Sequence, residues 1–195
     1  KDIDVPWIVH EMTGGAKSYP KRESKIDWSK TEKVLEVKDL CLPKAGGGYL
    51  VDHVNFDLHK GEILGIYGLM GAGRSEIFEC LMGMHPEHTG EVFLEGEKLD
   101  IKSISGQIDK GFALIPEDRQ AQGLVQTMDI EKNCSLSAMK RYKKVGIFLD
   151  KTKEGQKVDE QIKDIHIKVA DKHLPILSLS GGNQQKVVIG KGILT

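Results

Sequence analysis

The chain has 195 residues, with 28 basic and 29 acidic side chains and a formal net charge of −1. That length is enough for one domain with a hydrophobic core, with or without a tail. A charge so close to zero provides no strongly basic surface, so nucleic acid is not predicted as a partner. The apolar runs are far shorter than the roughly 20 residues that span a bilayer, so we do not expect the chain to cross a membrane.

The chain start and the cysteines indicate the cellular setting. The sequence begins at Lys1 without Met and without the apolar stretch of a signal peptide, so we expect a piece of a longer cytosolic polypeptide. Three cysteines, Cys41, Cys80 and Cys134, are odd in number and lack C-x-x-C spacing, which predicts neither a disulfide framework nor a zinc knuckle. The histidine spacing also gives no reason to predict a zinc site.

The first half of the chain has a β-like pattern. Residues 1–32 mix proline, glycine and charge without periodicity and are predicted to be a linker. Apolar residues around Val34 and Val37 and again over residues 49–56 predict two strands, joined by the glycines at 46–48. Residues 62–67 predict a short buried strand, and residues 91–96 and 112–115 predict two further strands.

The later part of the chain is helical in pattern. Ile77, Phe78, Leu81 and Met82 predict a helix after the third strand. Residues 129–139 also favour helix, and Val158, Ile162, Ile165 and Val169 fall on one face of an amphipathic helix.

One glycine-rich string lies between a predicted strand and a predicted helix. It fits the phosphate-loop pattern G-x-x-x-x-G-[K]-[ST] except that Arg replaces Lys. Glycines let backbone N–H groups converge on phosphates, the helix N-terminus adds positive potential, and the serine hydroxyl suits Mg²⁺. A plain glycine-rich turn remains the alternative, so a second signal is needed. With the next helical residue, the candidate nucleotide-binding residues are Gly68, Leu69, Met70, Gly71, Ala72, Gly73, Arg74, Ser75 and Glu76.

The second signal is the string Leu-Ser-Gly-Gly-Asn-Gln-Gln-Lys at residues 179–186, followed by a helical pattern. Ser180 is predicted to be an N-cap, and Gly181 and Gly182 leave the backbone bare at a helix N-terminus, a second anion site. A capped helix without a ligand explains the serine but not two glycines in a first turn, where they cost helix stability. The candidate residues here are Ser180, Gly181, Gly182 and Asn183.

These motifs together resemble a known family. Residues 179–186 are similar to the signature motif of ATP-binding cassette (ABC) transporter ATPases, in the form typical of bacterial ribose, galactose and xylose importers. The loop at 68–75, with Arg74, resembles the degenerate Walker A motif of the second of two cassettes in such chains. Residues 112–119 resemble the Q-loop region, with Glu117 where most cassettes have Gln, and residues 19–23 resemble the connector before that cassette.

The resemblance implies an α/β fold: a P-loop ABC-ATPase core with an N-terminal antiparallel β portion and a helical subdomain. Residues 1–32 would be a linker from a preceding domain, and residues 33–195 a partial nucleotide-binding domain with its helical subdomain at about 129–177. It implies ATP and Mg²⁺ as cofactors. Ser75 and Glu117 would be metal ligands, Glu117 would be catalytic, and Ser180 would act on the partner cassette's site.

The function implied is that of an ATP-binding subunit coupling ATP hydrolysis to sugar import, peripheral on the cytoplasmic side of the cell membrane. Its partners would be the preceding cassette of the same chain, membrane permease subunits and, indirectly, a sugar-binding protein.

The Walker B strand and the switch His are absent from the sequence, and Arg74 and Glu117 depart from an active cassette, so this fragment alone is expected to be inactive. Near Ala45, where an adenine-stacking aromatic is expected, only Tyr49 is close. The alternatives are a soluble regulatory ABC module without a transport role and an interaction scaffold that binds no nucleotide.

Overall fold

The computed structural model describes Trp7, residues 26–144 and residues 148–194. The chain divides into two units, Lys1–Glu32 and Lys33–Thr195. The predicted linker lies mostly outside the described residues; its described end contains a 3₁₀ turn at Trp28–Lys30, where the Thr31 hydroxyl donates to the Trp28 carbonyl at 2.8 Å. The second unit contains the sheet and both glycine-rich motifs.

The strands of this unit form one antiparallel sheet in the order β2-β1-β3-β4. The sheet confirms the predicted antiparallel β portion, including the strands expected around Val34, at 49–56 and at 91–96. A turn between the first two strands is closed by the Lys44 amide, which donates to the Gly48 carbonyl at 3.0 Å. The strands are β1 (Lys33–Pro43), β2 (Tyr49–His59), β3 (Thr89–Leu94) and β4 (Glu97–Lys98).

A first helix, α1 (Arg74–Leu81), packs on this sheet through its buried apolar face. Ile77 and Leu81 are four residues apart and therefore lie on the same side of the helix, which forms that apolar face. The helix and sheet together bury one core, which consists of Leu35, Val37, Leu40, Leu42, Val51, Ile77, Cys80, Leu81 and Val92.

The remaining helices are α2 (Ile104–Asp109), α3 (Ile130–Ser135), α4 (Lys151–Asp164) and α5 (Gly181–Ile193). Shorter turns are a π-helical turn at Arg119–Gly123 and 3₁₀ turns at Leu136–Tyr142 and Ile176–Ser178. Helix α3 and the turn after it confirm the helix predicted at 129–139. A second core joins α3, α4 and α5 and consists of Leu124, Ile130, Cys134, Val158, Ile167, Ile176, Leu179, Val187 and Val188. None of the helices in the described ranges is both long and apolar enough to cross a bilayer.

The amphipathic helix predicted from Val158 to Val169 is shorter than its pattern. Helix α4 ends at Asp164, and His166 takes a left-handed backbone with a φ of 54°. Ile165 and Val169 still pack against the second core, but from the segment after the helix. The hydrophobic spacing correctly indicated that Ile165 and Val169 pack against a core, but it did not predict that the helix ends at Asp164.

Two predicted strands are wrong as strands. Residues 62–67 and 112–115 have no ladder partner in the described structure, and Ile63 and Tyr67 are each 97% exposed. A short apolar run indicates that a segment can join a sheet, but the strand forms only where a neighbour supplies hydrogen bonds.

Candidate functional site

The loop before α1 depends on two glycines with left-handed backbones. Gly71 has a φ of 79° and Gly73 a φ of 80°. A Cβ at Gly73 would lie 2.2 Å from the backbone oxygen of Leu50, whereas a Cβ at Gly71 would meet nothing within 4 Å. Gly73 is therefore required both by conformation and by the close approach of β2.

The N-terminus of α1 carries no side-chain cap. The first helical hydrogen bond runs from the Ile77 amide to the Gly73 carbonyl at 3.1 Å. Helix geometry leaves the amides of Arg74, Ser75 and Glu76 without intrahelical partners, at the positive end of the helix dipole. This is the arrangement that binds an anion.

A cavity of about 860 Å³ opens beside this helix start. It brings Arg74 and Ser75 together with Glu117, which the sequence placed in separate motifs. The other predicted loop residues, from Gly68 to Gly73 and Glu76, do not line it; Leu69 and Met70 are exposed to solvent. The lining residues are Ile66, Arg74, Ser75, Phe78, Glu79, Leu114, Ile115, Pro116, Glu117, Asp118, Arg119, Gln120 and Gln122.

Arg74, the residue that replaces Lys in the loop pattern, folds back over the loop. A Cβ built on Gly68 would lie 3.5 Å from Arg74 Cδ and 3.7 Å from Arg74 Cγ. The methylene stem of Arg74 therefore covers the first glycine, while the residue still lines the cavity.

The segment after Glu117 is held by its own hydrogen bonds. Asp118 Oδ1 accepts from the amides of Gln120 at 2.9 Å and Ala121 at 3.0 Å, which caps the π-helical turn. At the far end of that turn, Lys191 Nζ donates to the Gly123 carbonyl at 2.5 Å, and burial lowers the pKa of this lysine. The turn is thus tied to α5.

Arg119 connects the cavity to the second motif. It lines the cavity, and a Cβ at Gly181 would lie 2.8 Å from its Nη2 atom. Its Nε atom is buried without a hydrogen-bond partner among the described residues. The sequence analysis placed Arg119 in the stretch that resembles the Q-loop region, residues 112–119, but did not include it among the candidate site residues.

The second motif begins α5. Ser180 has the extended backbone of an N-cap, as predicted, but its side chain makes no capping bond to the helix backbone. Instead Asn183 Nδ2 donates to Ser180 Oγ at 3.1 Å, and Asn183 Oδ1 accepts the Lys168 amide at 3.1 Å. Gly181 and Gly182 are exposed, so the helix N-terminus is open to a ligand.

The cysteine thiols lie away from this chemistry. All three cysteines are free and buried. Burial raises the pKa of Cys80 to about 11 and that of Cys134 to about 12, so both thiols stay protonated at neutral pH.

Comparison with known proteins gives the family. The model of the ABC transporter family matches residues 51–195. A xylose import ATP-binding protein, XylG of Pseudomonas savastanoi pv. phaseolicola, is 38% identical over 199 residues, covering 100% of this chain and 38% of that protein. The ribose import ATP-binding protein RbsA of Rhodopirellula baltica is 39% identical over 175 residues, covering 88% of this chain and 34% of that protein. The chain thus spans little more than a third of either relative.

A solved structure has the same fold. The ATP-binding cassette MJ0796, determined as a dimer in a post-hydrolysis state with ADP and Pi, aligns with a TM-score of 0.64 at 20% identity, covering 82% of this chain and 69% of that one. The glycine-dependent loop, the cavity beside α1 and the family match over most of the chain agree: the chain belongs to the ABC transporter family and has its P-loop ATPase fold.

Proposed function

We propose that this chain is the second ATP-binding cassette of a sugar importer, coupling ATP binding and hydrolysis to uptake through membrane permease subunits. The names of the two relatives, which describe xylose and ribose import, support the sugar class. The relatives are more than twice as long as this chain, which leaves length for a preceding cassette. In this proposal residues 1–32 are the linker and residues 33–195 a partial nucleotide-binding domain, with its helical subdomain at about 129–177.

The setting proposed is the cytoplasmic side of the cell membrane, where the protein is held peripherally by the permease. A sugar-binding protein would act on this chain only through that permease. The net charge of −1 supports the absence of a nucleic-acid partner.

The observation that carries the proposal is the uncapped start of α1 beside the cavity that Arg74, Ser75 and Glu117 share. The amides at this helix start and the Arg74 guanidinium are donors suited to phosphate oxygens. A cavity of about 860 Å³ lies within the range of nucleotide-sized pockets. ATP therefore fits the residues present.

The same cavity has oxygen donors for Mg²⁺. Ser75 offers a hydroxyl and Glu117 a carboxylate, the hard ligands that this cation takes. When bound, the cation would neutralise charge on the β- and γ-phosphates. Asp118 is already occupied in capping the π-helical turn, so we do not assign it to the metal.

Residues Ser180 to Asn183 are proposed to act on the nucleotide of the partner cassette. Within the described residues they do not line the cavity of Arg74, which supports two separate sites. The related cassette that was solved as a dimer supports pairing of cassettes. Asn183 holds the Ser180 hydroxyl beside the open helix N-terminus, ready for a phosphate presented by another domain.

Arg74 and Glu117 are proposed to make this site a weak hydrolase. The Arg74 guanidinium is bulkier than a lysine ammonium and would not occupy the same place, and a planar fork cannot follow developing charge as a point charge does. Glu117 would add a negative charge to the cavity proposed to hold the phosphates, which opposes a second anion at close range. Because phosphoryl transfer depends on positioning, a displacement of about 1 Å costs on the order of 10²-fold in rate.

The test of nucleotide binding is thermal unfolding of the 195-residue chain with and without Mg-ATP. Bound ligand stabilises by about 2.7 kcal/mol at 100 times its Kd, so the wild type should melt at a higher temperature with nucleotide. Ser75→Ala should weaken the Mg²⁺-dependent part of this shift, while Thr127→Ala, which removes an exposed hydroxyl outside the cavity, should preserve it. Equal shifts in the two variants would contradict the site.

Hydrolysis is tested in the full-length protein by single-turnover measurement with the first site disabled. Arg74→Lys combined with Glu117→Gln should raise the rate at this site above wild type. Ser180→Arg should depress turnover at the other cassette and leave binding here intact. Rapid wild-type turnover here, or no gain from the double change, would refute the weak-site proposal.

A further inference from the structure

Three metal-ligating side chains meet on the β-sheet, away from the phosphate loop. A carboxylate oxygen of Asp39, the sulfur of Cys41 and a ring nitrogen of His53 all lie within 4.8 Å of one another. Asp39 and Cys41 belong to β1, and His53 belongs to the neighbouring strand β2. None of the three lines the cavity beside α1.

Two opposed irregularities in the strand pairing bring these residues together. Between the ladder pairs at Val37 and Leu40, β1 has one residue more than β2, and Asp39 lies in that bulge. Between the pairs at Leu40 and Leu42, β2 has one residue more than β1, and His53 lies there. Bulges re-aim side chains and are found next to functional sites.

The bulges also set which face each side chain occupies. Leu40 and Leu42 belong to the core on one side of the sheet. Side chains alternate along a strand, so Cys41 faces the other side, which is the side of Asp39. Cys41 is only 3% exposed, while Asp39 and His53 are exposed at the rim. The Cys41 sulfur is therefore buried beneath the cluster, and the Asp39 carboxylate and the His53 imidazole lie at the protein surface above it.

The backbones of the two rim residues are held in an unusual conformation. Asp39 has a φ of 54° and His53 a φ of 48°, both in the left-handed region. Asn55 fastens them: its Oδ1 accepts the Asp39 amide at 2.9 Å, and its Nδ2 donates to the His53 carbonyl at 2.8 Å. His53 Nδ1 and Asp39 Oδ1 are 2.5 Å apart. The Asn55 side-chain amide therefore positions Asp39 and His53 through hydrogen bonds to their backbones.

We propose that Asp39, Cys41 and His53 bind a zinc-class divalent cation, with water in the fourth position. Thiolate, imidazole and carboxylate are the ligands that Zn²⁺ takes, at about 2.0–2.3 Å, and three protein ligands with one open position are typical of an accessible zinc site. The imidazole of His53 binds as the neutral ring in place of its hydrogen bond to Asp39, and the thiol proton of Cys41 is released to solvent. The bound cation cross-links β1 to β2.

A surface ion pair between Asp39 and His53 is the alternative explanation of this cluster, and it explains fewer of its features than cation binding does. An exposed Asp–His pair contributes little to the stability of a fold. Such a pair requires neither a sulfur within 4.8 Å nor a bulge on each strand. Cation binding uses all three side chains.

The test is titration of the metal-free 195-residue chain with Co²⁺, followed by displacement with Zn²⁺. We expect a thiolate-to-cobalt charge-transfer band and the intense visible bands of a four-coordinate ion, which Zn²⁺ then abolishes. Cys41→Ser should remove the charge-transfer band. His53→Asn and Asp39→Asn, in which asparagine tolerates the left-handed backbone, should each weaken cobalt binding at least 10-fold.

Two matched controls separate this site from other groups. Cys134→Ala removes another buried thiol, and His166→Asn changes another exposed histidine with a φ of 54°. Both should keep the wild-type cobalt spectrum. The proposal is overturned if wild-type protein develops no charge-transfer band, or if the band persists in Cys41→Ser. Circular dichroism of each variant verifies folding, and the two exposed-residue variants keep the test decisive if Cys41→Ser does not fold.

Discussion

Gly73 lies where the loop before α1 passes closest to β2, and its two constraints can be separated experimentally. Gly71 shares the left-handed backbone but has open space, so it isolates the conformational cost. We expect Gly71→Ala to lower the free energy of unfolding by about 1 kcal/mol. Gly73→Ala adds the clash with the Leu50 carbonyl and should cost about 3 kcal/mol in all. Urea unfolding of both variants measures the difference; equal losses would show that the close approach is not limiting.

His85 gives the fold a pH-dependent contact at the end of α1. Its Nε2 lies 2.8 Å from Glu79 Oε2 and its Nδ1 lies 3.3 Å from Glu87 Oε1. The hydrogen bond to Glu79, with a smaller effect from Glu87, raises the pKa of His85 above its ordinary value of 6.5. The charged form is therefore stabilised in the folded state.

The sign of the resulting pH dependence follows from the raised pKa. The contribution of His85 to stability is fully present below pH 6.5, the unfolded-state pKa, and is lost as pH rises through the higher folded-state pKa. Wild type should exceed His85→Gln by up to about 1 kcal/mol at acidic pH, with the gap closing toward alkaline pH. Chemical unfolding across this range measures it, with the exposed His166→Asn as control. A gap that widens with pH would contradict the assignment.

At the scale of elements, Asn133 fastens α3 to the segment before it. This side chain is fully buried, and its Oδ1 accepts the Val125 amide at 2.8 Å. Its Nδ2 lies 3.0 Å from the carbonyl oxygens of both Val125 and Asp129. Asn133→Ala leaves these buried backbone groups without their partner and should lower the free energy of unfolding by about 3 kcal/mol. Gln156→Ala, on the exposed face of α4, should change it little; similar losses in both would show that the amide bonds add nothing.

The elements also show what sequence could predict. Patterns of period 2 and 3.6 placed β1, β2, α1 and α3 correctly because each buries one face in a core. The same patterns missed the end of α4, since Ile165 and Val169 stay buried after the helix stops. They also missed the bulges beside Asp39 and His53, because a bulge depends on the pairing of two strands that sequence spacing does not report.

The two glycine-rich motifs of the candidate site could be predicted from the sequence, but the way in which the fold brings their residues together could not. Glycine chemistry identified the loop at Gly71 and Gly73, and the second motif identified the open start of α5. The shared cavity of Arg74 and Glu117, and the contact of Arg119 with Gly181, arise from tertiary packing alone. Single motifs therefore indicated candidate residues and left the distances between them open.

At the scale of the whole molecule, residues 62–67 and 112–115 are two segments that have no strand partner among the described residues. In the described structure, residues 63–67 make no backbone hydrogen bonds with other backbone groups, nor do residues 113–116. Ile63 and Tyr67 are almost fully exposed, and Ile115 is half exposed. Ile66 and Ile115 line the same cavity. Unpaired backbone next to exposed apolar side chains is a template for pairing with other chains.

The 195-residue chain should therefore self-associate in a concentration-dependent way through these segments. Replacing Ile63 and Tyr67 with lysine places charges on the unpaired edge, which opposes strand addition, and should reduce association. Leu177→Lys is the matched control, because Leu177 is also exposed but lies in a hydrogen-bonded 3₁₀ turn. Sedimentation velocity at several concentrations should show a larger monomer fraction for Ile63→Lys with Tyr67→Lys than for wild type or the control. If Leu177→Lys raises the monomer fraction as much, added charge alone is responsible and the edge is not the contact.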